Sequence, residues 1–322
     1  MGDFCLDVYW MLDMRASEVS VETGKMTQPV REQRYSLGGA GNVAANLHDM
    51  GVGDIHTFGV VGNDPFGREM LSLLYRKAEC SNMLMSDSES WQTLAYCKPY
   101  VDGEESQRID MGNFNRLPDA LANDLIGRLK KRLSTFDVVI INEQVASGIH
   151  TPFLRDRLSR LVSEKKEFIF VFDGRHVRDE YNGACLKMND QEALKWSSIE
   201  KEDPTDITRD EVFKAIEMIF QKRGRPLVVT RGARGCVICD EGVIVPIPGI
   251  RVEGEIDTVG SGDSFLAGMT ASLAVGATLE EAAQVGNLAS AVTIRKIGQT
   301  GTATPEEILK MGASCRFSDE SE

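Results

Sequence analysis

Asp257-Thr-Val-Gly-Ser-Gly-Asp263, followed by Phe265, Leu266, Met269 and Leu273 at helical spacing, reads as a glycine-bracketed turn that opens a buried helix. Gly260 and Gly262 let the backbone turn tightly with its N–H groups converging. A helix N-terminus adds partial positive charge, so together with Ser261 such a turn can hold a phosphoryl group in flight. Asp263 falls in the first turn beside that anion hole. A carboxylate there can accept the proton of an attacking hydroxyl, which is the acid–base work that phosphoryl transfer asks of a protein. The plainer alternative is that Asp263 caps the helix and the glycines only make the turn. Taken alone, the stretch favours that alternative.

Working outward, strand-like runs alternate with amphipathic helical segments from about residue 117 onward, a rhythm that predicts crossover connections and a mostly parallel sheet. Asp137–Asn142, Phe168–Asp173 and Leu227–Thr230 read as strands. Leu121, Leu125, Leu129 and Leu133 form one helical stripe, Leu154, Leu158 and Val162 a second, and Val212, Ile216, Ile219 and Phe220 a third. The N-terminal third differs. Val8–Met14, Gln33–Leu37 and Leu94–Tyr100 read as short strands, with a helix over Asn42–Met50 between glycine clusters. The expectation is one α/β domain over 1–322, with a discontinuous β-strand lid from about 8–37 and 91–112. The acidic tail, Ser318-Asp-Glu-Ser-Glu322, is expected to fray.

An apolar fraction of 42% beside a charged fraction of 26% is that of an ordinary globular chain, and apolar runs such as Phe168–Phe172 are strand-length. These are far short of the roughly 20 residues that would span a bilayer. Met1-Gly2-Asp3-Phe4 shows neither a basic nor an apolar leader region, so the expected location is cytoplasmic. Seven scattered cysteines argue against a disulfide framework. Cys236-Val-Ile-Cys239 has metal-site spacing but lies in an apolar strand-like run without a second ligand pair, which favours a buried structural pair. A net charge of −13 without a basic stripe opposes broad contact with nucleic acid or anionic lipid, so a phosphate-bearing ligand must be held locally.

The Asp257–Asp263 segment resembles the C-terminal signature of the ribokinase-like (PfkB) carbohydrate kinases, D-T-x-G-A-G-D, with Ser261 in place of alanine. The family's N-terminal signature is matched by Gly38-Gly-Ala-Gly-Asn42-Val-Ala-Ala-Asn46, Gly51 and Gly59-Val-Val-Gly62-Asn-Asp64-Pro-Phe-Gly67. Two signatures in the right order are a specific signal, where either alone is weak. The resemblance runs from Gly2 to about Ile308 and implies a three-layer α/β/α fold with a central, mostly parallel sheet and a small β lid. It also implies transfer of a phosphoryl group from ATP with Mg²⁺, and some relatives are activated by a monovalent cation as well. The partners it implies are a sugar or sugar phosphate and, through the lid, a second copy of the chain.

Carried over position by position, the resemblance assigns Asp263 as general base and Gly260, Ser261, Gly262 and Asp263 as the anion hole. Asp7, Gly38, Gly39 and Asn42 become the sugar site, where close backbone approach and an amide suit polyol hydroxyls. Asn189 and Glu192 match the N-x-x-E element, with Glu192 ordering water around Mg²⁺. Thr230, Gly232, Gly235 and Asn287 fall on the nucleotide side. Packing, capping and solvation are the bland readings of each.

Relatives carry an apolar strand just before the match to Gly2-Asp3, where this sequence has Met1, so either the recorded start is late or the sheet lacks a strand. Gly2-Asp-x-x-Leu-Asp7-x-Tyr9, Arg15-x-Ser17 and Arg108-Ile-Asp110 resemble the heptose-7-phosphate kinase branch, but Glu143-Gln-Val-Ala-Ser-Gly148 lacks that branch's lysine. Arg15, Arg34, Arg108 and Arg175 are the candidates for binding a substrate phosphate, against the alternative of surface ion pairs. A ribokinase- or ketodeoxygluconate-type substrate stays open, as does a non-catalytic sugar or nucleotide sensor on the same fold.

Overall fold

The computed structural model describes residues 1–86, 90–176, 179–201, 203, 206–298 and 300–317. The acidic tail from Ser318 to Glu322 lies outside the described residues. The N-terminal part runs β1 (Phe4–Leu12), β2 (Val30–Gly39), α1 (Ala40–Asp49), β3 (Val60–Gly62), α2 (Pro65–Leu74), β4 (Leu84–Ser86), β5 (Leu94–Val101), β6 (Glu104–Glu105) and β7 (Ile109–Met111). Four of these strands form the sheet β2-β1-β5-β6, with β7 also paired to β5. Period-2 alternation decides which way its faces look. Phe4, Leu6 and Val8 of β1 and Ala95 and Cys97 of β5 pack on α1 and α2. The intervening Cys5, Asp7, Tyr96 and Lys98 face a cleft on the other side.

The rest of the chain follows the predicted rhythm: α3 (Asp119–Arg132), β8 (Val138–Glu143), α4 (Pro152–Glu164), β9 (Ile169–Gly174), β10 (Cys185–Asn189), α5 (Asp190–Trp196), α6 (Arg209–Arg223) and β11 (Leu227–Thr230). It closes with β12 (Cys236–Asp240), β13 (Val243–Ile247), α7 (Ser261–Ala274), α8 (Leu279–Thr293) and α9 (Pro305–Ser314). The second sheet has the order β13-β12-β11-β10-β9-β8. From β8 to β11 the pairing is parallel, and β12 and β13 return antiparallel.

Alternation along these strands makes the three layers. Phe170, Phe172, Leu186, Leu227, Val229 and Val237 pack against α3, α4, α5 and α6. Val171, Cys185, Val228, Cys236 and Ile238 pack against α7, α8 and Val43 of α1. Cys236 and Cys239 stand three apart on a strand and therefore turn to opposite layers, where they cannot share a ligand or a bond. Both are buried and free. Among the described residues no helix is long and apolar enough to cross a membrane.

Met1–Asp3 run between the two strand systems. Gly2 donates its N–H to Phe58 and Asp3 to Asn142, while the buried amino group of Met1 bonds the Ile140 carbonyl at 2.7 Å. Burial lowers that amine to about 5. The carboxylate of Asp3 accepts N–H bonds from Gln144, Val145 and Ile149, which shapes the loop after β8 and brings Gln144 to the cleft.

Candidate active site

The cleft, of about 760 Å³, lies at the carboxyl ends of β9, β10 and β11 and is bounded by the inner face of the N-terminal sheet and the start of α7. Parallel α/β sheets place ligands at this edge because the crossover helices begin there with unpaired N–H groups. At the start of α7, Gly260 has φ +78° and no side chain caps the helix. A Cβ at Gly260 would come within 2.8 Å of Asn42 Nδ2 and Thr300 Cγ2, so both the backbone conformation and the space call for glycine. Among the described residues, the first-turn N–H groups of Gly262 and Asp263 have no backbone acceptor. Two contacts fix the corner from behind: Ser290 Oγ donates to the Ser261 carbonyl at 2.8 Å, and Asp257 accepts from the N–H groups of Val259 and Gly298.

Asp263 lines the cleft, and Asn42 Nδ2 donates to its Oδ2 at 2.8 Å. Burial raises its carboxyl to about 6, against the lowering effect of the Asn42 hydrogen bond; Asp173 pushes it further up, and Lys187 and Arg175 pull it down. A carboxylate poised there exchanges a proton near neutral pH.

The structure gathers Asp7, Gly38, Gly39, Asn189, Glu192, Thr230, Gly232, Gly260, Ser261, Gly262 and Asp263 around this one cleft. Asn42 stands behind it, 1% exposed, with its amide bonded to Asp263 and to Asn46. That position suits orientation of the carboxylate better than contact with a sugar. Gly235 and Asn287 are not on the lining. Gly235 packs against the backbone of Ile247, Pro248 and Gly249, and Asn287 donates to the Pro248 carbonyl at 3.2 Å.

Asn189 and Glu192 form a capping box at the start of α5, each accepting the other's N–H at 2.8 Å. Burial raises the Glu192 carboxyl. Of the four arginines singled out in the sequence, Arg108 and Arg175 reach the cleft. Arg15 pairs with Asp13 and Arg34 with Glu32 at exposed positions.

Several lining groups carried no sequence motif. Lys98 on β5 bonds Asp7 at 2.8 Å, Lys187 on β10 bonds Asp173 at 3.1 Å, and the Tyr96 ring lies under the Arg108 guanidinium at 4.6 Å. The available signal was a lysine inside the buried run Ala184–Met188, since a charge on a buried strand needs a partner.

The sequence profile described as pfkB family carbohydrate kinase matches residues 6–307. The bifunctional protein HldE of Hydrogenovibrio crunogenus is 25% identical over 316 residues, covering 98% of this chain and 63% of the relative. The bifunctional protein HldE of Coxiella burnetii is 29% identical over 311 residues, covering 95% and 61%. The chain thus spans under two thirds of the length of these curated relatives. In fold it is similar to Arabidopsis thaliana ribokinase, solved with ribose and ATP, at a TM-score of 0.75 and 16% identity over 96% of each chain. Escherichia coli phosphofructokinase-2, solved with potassium, gives 0.73 and 20% identity over 97% of this chain and 96% of that one.

Proposed function

Because the chain belongs to the pfkB family of carbohydrate kinases, we propose that it transfers the γ-phosphoryl group of ATP to a hydroxyl of a sugar or sugar phosphate, with Asp263 as general base. The observation that carries the reading is the start of α7: a carboxylate near pH 6 stands beside unpaired first-turn N–H groups in a polar cleft. The acceptor lies against the N-terminal sheet, which serves as the lid of a single kinase domain. Asp7 and the backbone of Gly38 and Gly39 bind its hydroxyls there. Asn42 keeps Asp263 aimed at the hydroxyl that attacks.

As the acceptor oxygen bonds to the γ-phosphorus, its proton passes to an Asp263 oxygen, and the bond from phosphorus to the β,γ-bridging oxygen breaks toward ADP. Charge on the moving group falls on the N–H groups of Gly262 and Asp263, which are already oriented and need no rearrangement. Thr230 and Gly232 border the nucleotide side. The first-turn amides, Thr230 and Asn189 present neutral donors and acceptors, so ATP's charge has to be met by cations within the cleft.

Asn189 and Glu192 would hold Mg²⁺ through its water shell, and the bound ion would offset phosphate charge. Among the described residues no group of three or more His, Cys, Asp or Glu gathers as a metal cage, which fits a water-mediated site. A heptose phosphate is the favoured acceptor by the branch-like motifs, with Arg108 as the anion partner inside the cleft.

The test is a coupled ADP-release assay over pentoses, hexoses, deoxy-sugar acids and sugar phosphates, with the product identified by mass. Turnover with one of these classes is expected. Tight sugar or nucleotide binding with no ADP release would favour the sensor instead.

A further inference from the structure

We propose that Lys187 is a catalytic residue of this reaction, its ammonium group meeting the transferring phosphoryl group opposite the first-turn N–H groups of α7, with Asp173 as the residue that positions it. The inference rests on the kinase reading above.

Lys187 is flanked on β10 by Leu186 and Met188, which turn into the core beneath the sheet. Strand alternation sends Lys187 the other way, toward α7. A Cβ at Gly262 would lie 3.3 Å from Lys187 Nζ, so the ammonium group sits directly against the turn that carries the anion hole. Gly262 leaves it that room. The lysine and its partner Asp173 are 7% and 8% exposed as side chains, yet both line the cleft.

A buried ion pair is weak support for a fold, because desolvating two charges offsets most of their attraction. An apolar pair on β9 and β10 would fill the same space at lower cost. The position makes sense as a ligand site. Lys187 Nζ carries three donors, and the hydrogen bond to Asp173 at 3.1 Å uses one, leaving others for an anion. The cleft it lines also holds Asp263, the proposed base, and Glu192, the residue assigned to the metal's water, and its charge lowers both carboxyls. A phosphoryl group passing from nucleotide to acceptor travels within that cleft.

In the transfer itself the lysine neither gains nor loses a proton. The new bond joins the acceptor oxygen to phosphorus, the bond to the bridging oxygen breaks with its electron pair leaving on ADP, and Asp263 takes the hydroxyl proton. Lys187 stabilises the negative charge carried by the phosphoryl oxygens between those two bonds, and Asp173 keeps the ammonium group from folding back into the sheet.

The experiment compares wild type, Lys187→Met and Lys187→Arg on whichever acceptor wild type turns over, with ADP affinity measured separately by calorimetry. Removing one preorganised donor to a transition-state charge costs about a hundredfold in kcat. The expected result for Lys187→Met is that loss with the Kd for ADP within about threefold of wild type, and a smaller loss for Lys187→Arg, whose charge survives in a different shape. If the single exchange leaves Asp173 unpaired and the chain does not fold, Lys187→Met combined with Asp173→Leu removes both charges and carries the same expectation. A kcat within threefold of wild type in either variant overturns the inference and leaves the kinase reading standing. A fall in ADP affinity that accounts for the whole loss overturns it as well, since the lysine would then be a ground-state anchor. A wild-type chain that phosphorylates nothing overturns the kinase reading and this inference with it.

Discussion

Asn42→Ala isolates the link between a buried amide and the proposed base. Asn42 is 1% exposed and gives Asp263 a hydrogen bond of 2.8 Å, so its removal takes away a donor without uncovering the cleft. Because that bond favours the ionised carboxylate, losing it moves the Asp263 pKa upward from about 6. A hydrogen bond to a charged group is worth about 1.5 kcal/mol, which corresponds to about one pH unit. Asp263 works as a base only when ionised, so activity rises with pH through its pKa and the acid limb of the variant lies to the right of wild type. Moving the limb from about 6 to about 7 cuts the ionised fraction about eightfold at about pH 5.5 and by only a few per cent at about pH 8.5. The assay is kcat across that range at saturating ATP and acceptor. Superimposable limbs, or a loss of the same size at every pH, would refute the reasoning, the second because it would show a role in binding or packing alone.

Asp263→Asn should abolish turnover while ADP still binds, and calorimetry beside the ADP-release assay decides it. The same exchange should stabilise the fold at pH 8 and not at pH 4. The wild-type carboxyl titrates at about 6 instead of 3.8, so its stability contribution is full below the unfolded value and is lost as pH rises through 6. With allowance for solvent in the cleft the gain is about 2 kcal/mol, read from urea melts at both pH values. Gly260→Ala forces a side chain into left-handed backbone at φ +78° and against Asn42. A loss of about 2 kcal/mol in stability, together with most of kcat, is expected from melts and initial rates. Asp7→Ala strips the Lys98 ammonium group of its 2.8 Å partner in the acceptor half of the cleft. The acceptor KM should rise about tenfold or more with the ATP KM little changed, and an equal rise in both would count against the assignment.

Elements whose burial is uniform were legible in the sequence, and those that depend on a partner were not. The strand expected over Leu227–Thr230 matches to the residue, because a short apolar run between breakers has one reading once helices flank it. The first strand, expected over Val8–Met14, runs Phe4–Leu12. Its inward set is Phe4, Leu6 and Val8, whereas the apolar Met11 is only half-buried and Met14 is exposed, so composition pointed too far along. The β12–β13 hairpin turns on Glu241 and Gly242, both with positive φ, without the Asn-Gly or Asp-Gly pair that announces such a turn. In the site, N-x-x-E carried little information by itself because the same spacing is a capping box, and in this chain it makes one. Lys187 and Asp173 come from different strands, and no local pattern foretells that two parallel strands will set them side by side.

The charge of the cleft follows from the same point. A chain with a net charge of −13 has no general attraction for a nucleotide. Inside the cleft, however, Lys98, Arg108, Arg175 and Lys187 stand against Asp7, Asp173, Glu192 and Asp263, four cations to four carboxylates. The lining is therefore close to neutral while the chain as a whole is acidic. Three of the four cations are held by a carboxylate that cannot itself bind phosphate: Asp7 keeps Lys98, Asp110 keeps Arg108 and Asp173 keeps Lys187. Such pairing fixes the cations in place before any ligand arrives, and pre-set charge is what stabilises a transition state without reorganisation. Recognition of an anion by this protein is accordingly a local property, built from strand ends and one helix start, and screening by salt should weaken it less than it would an exposed basic patch.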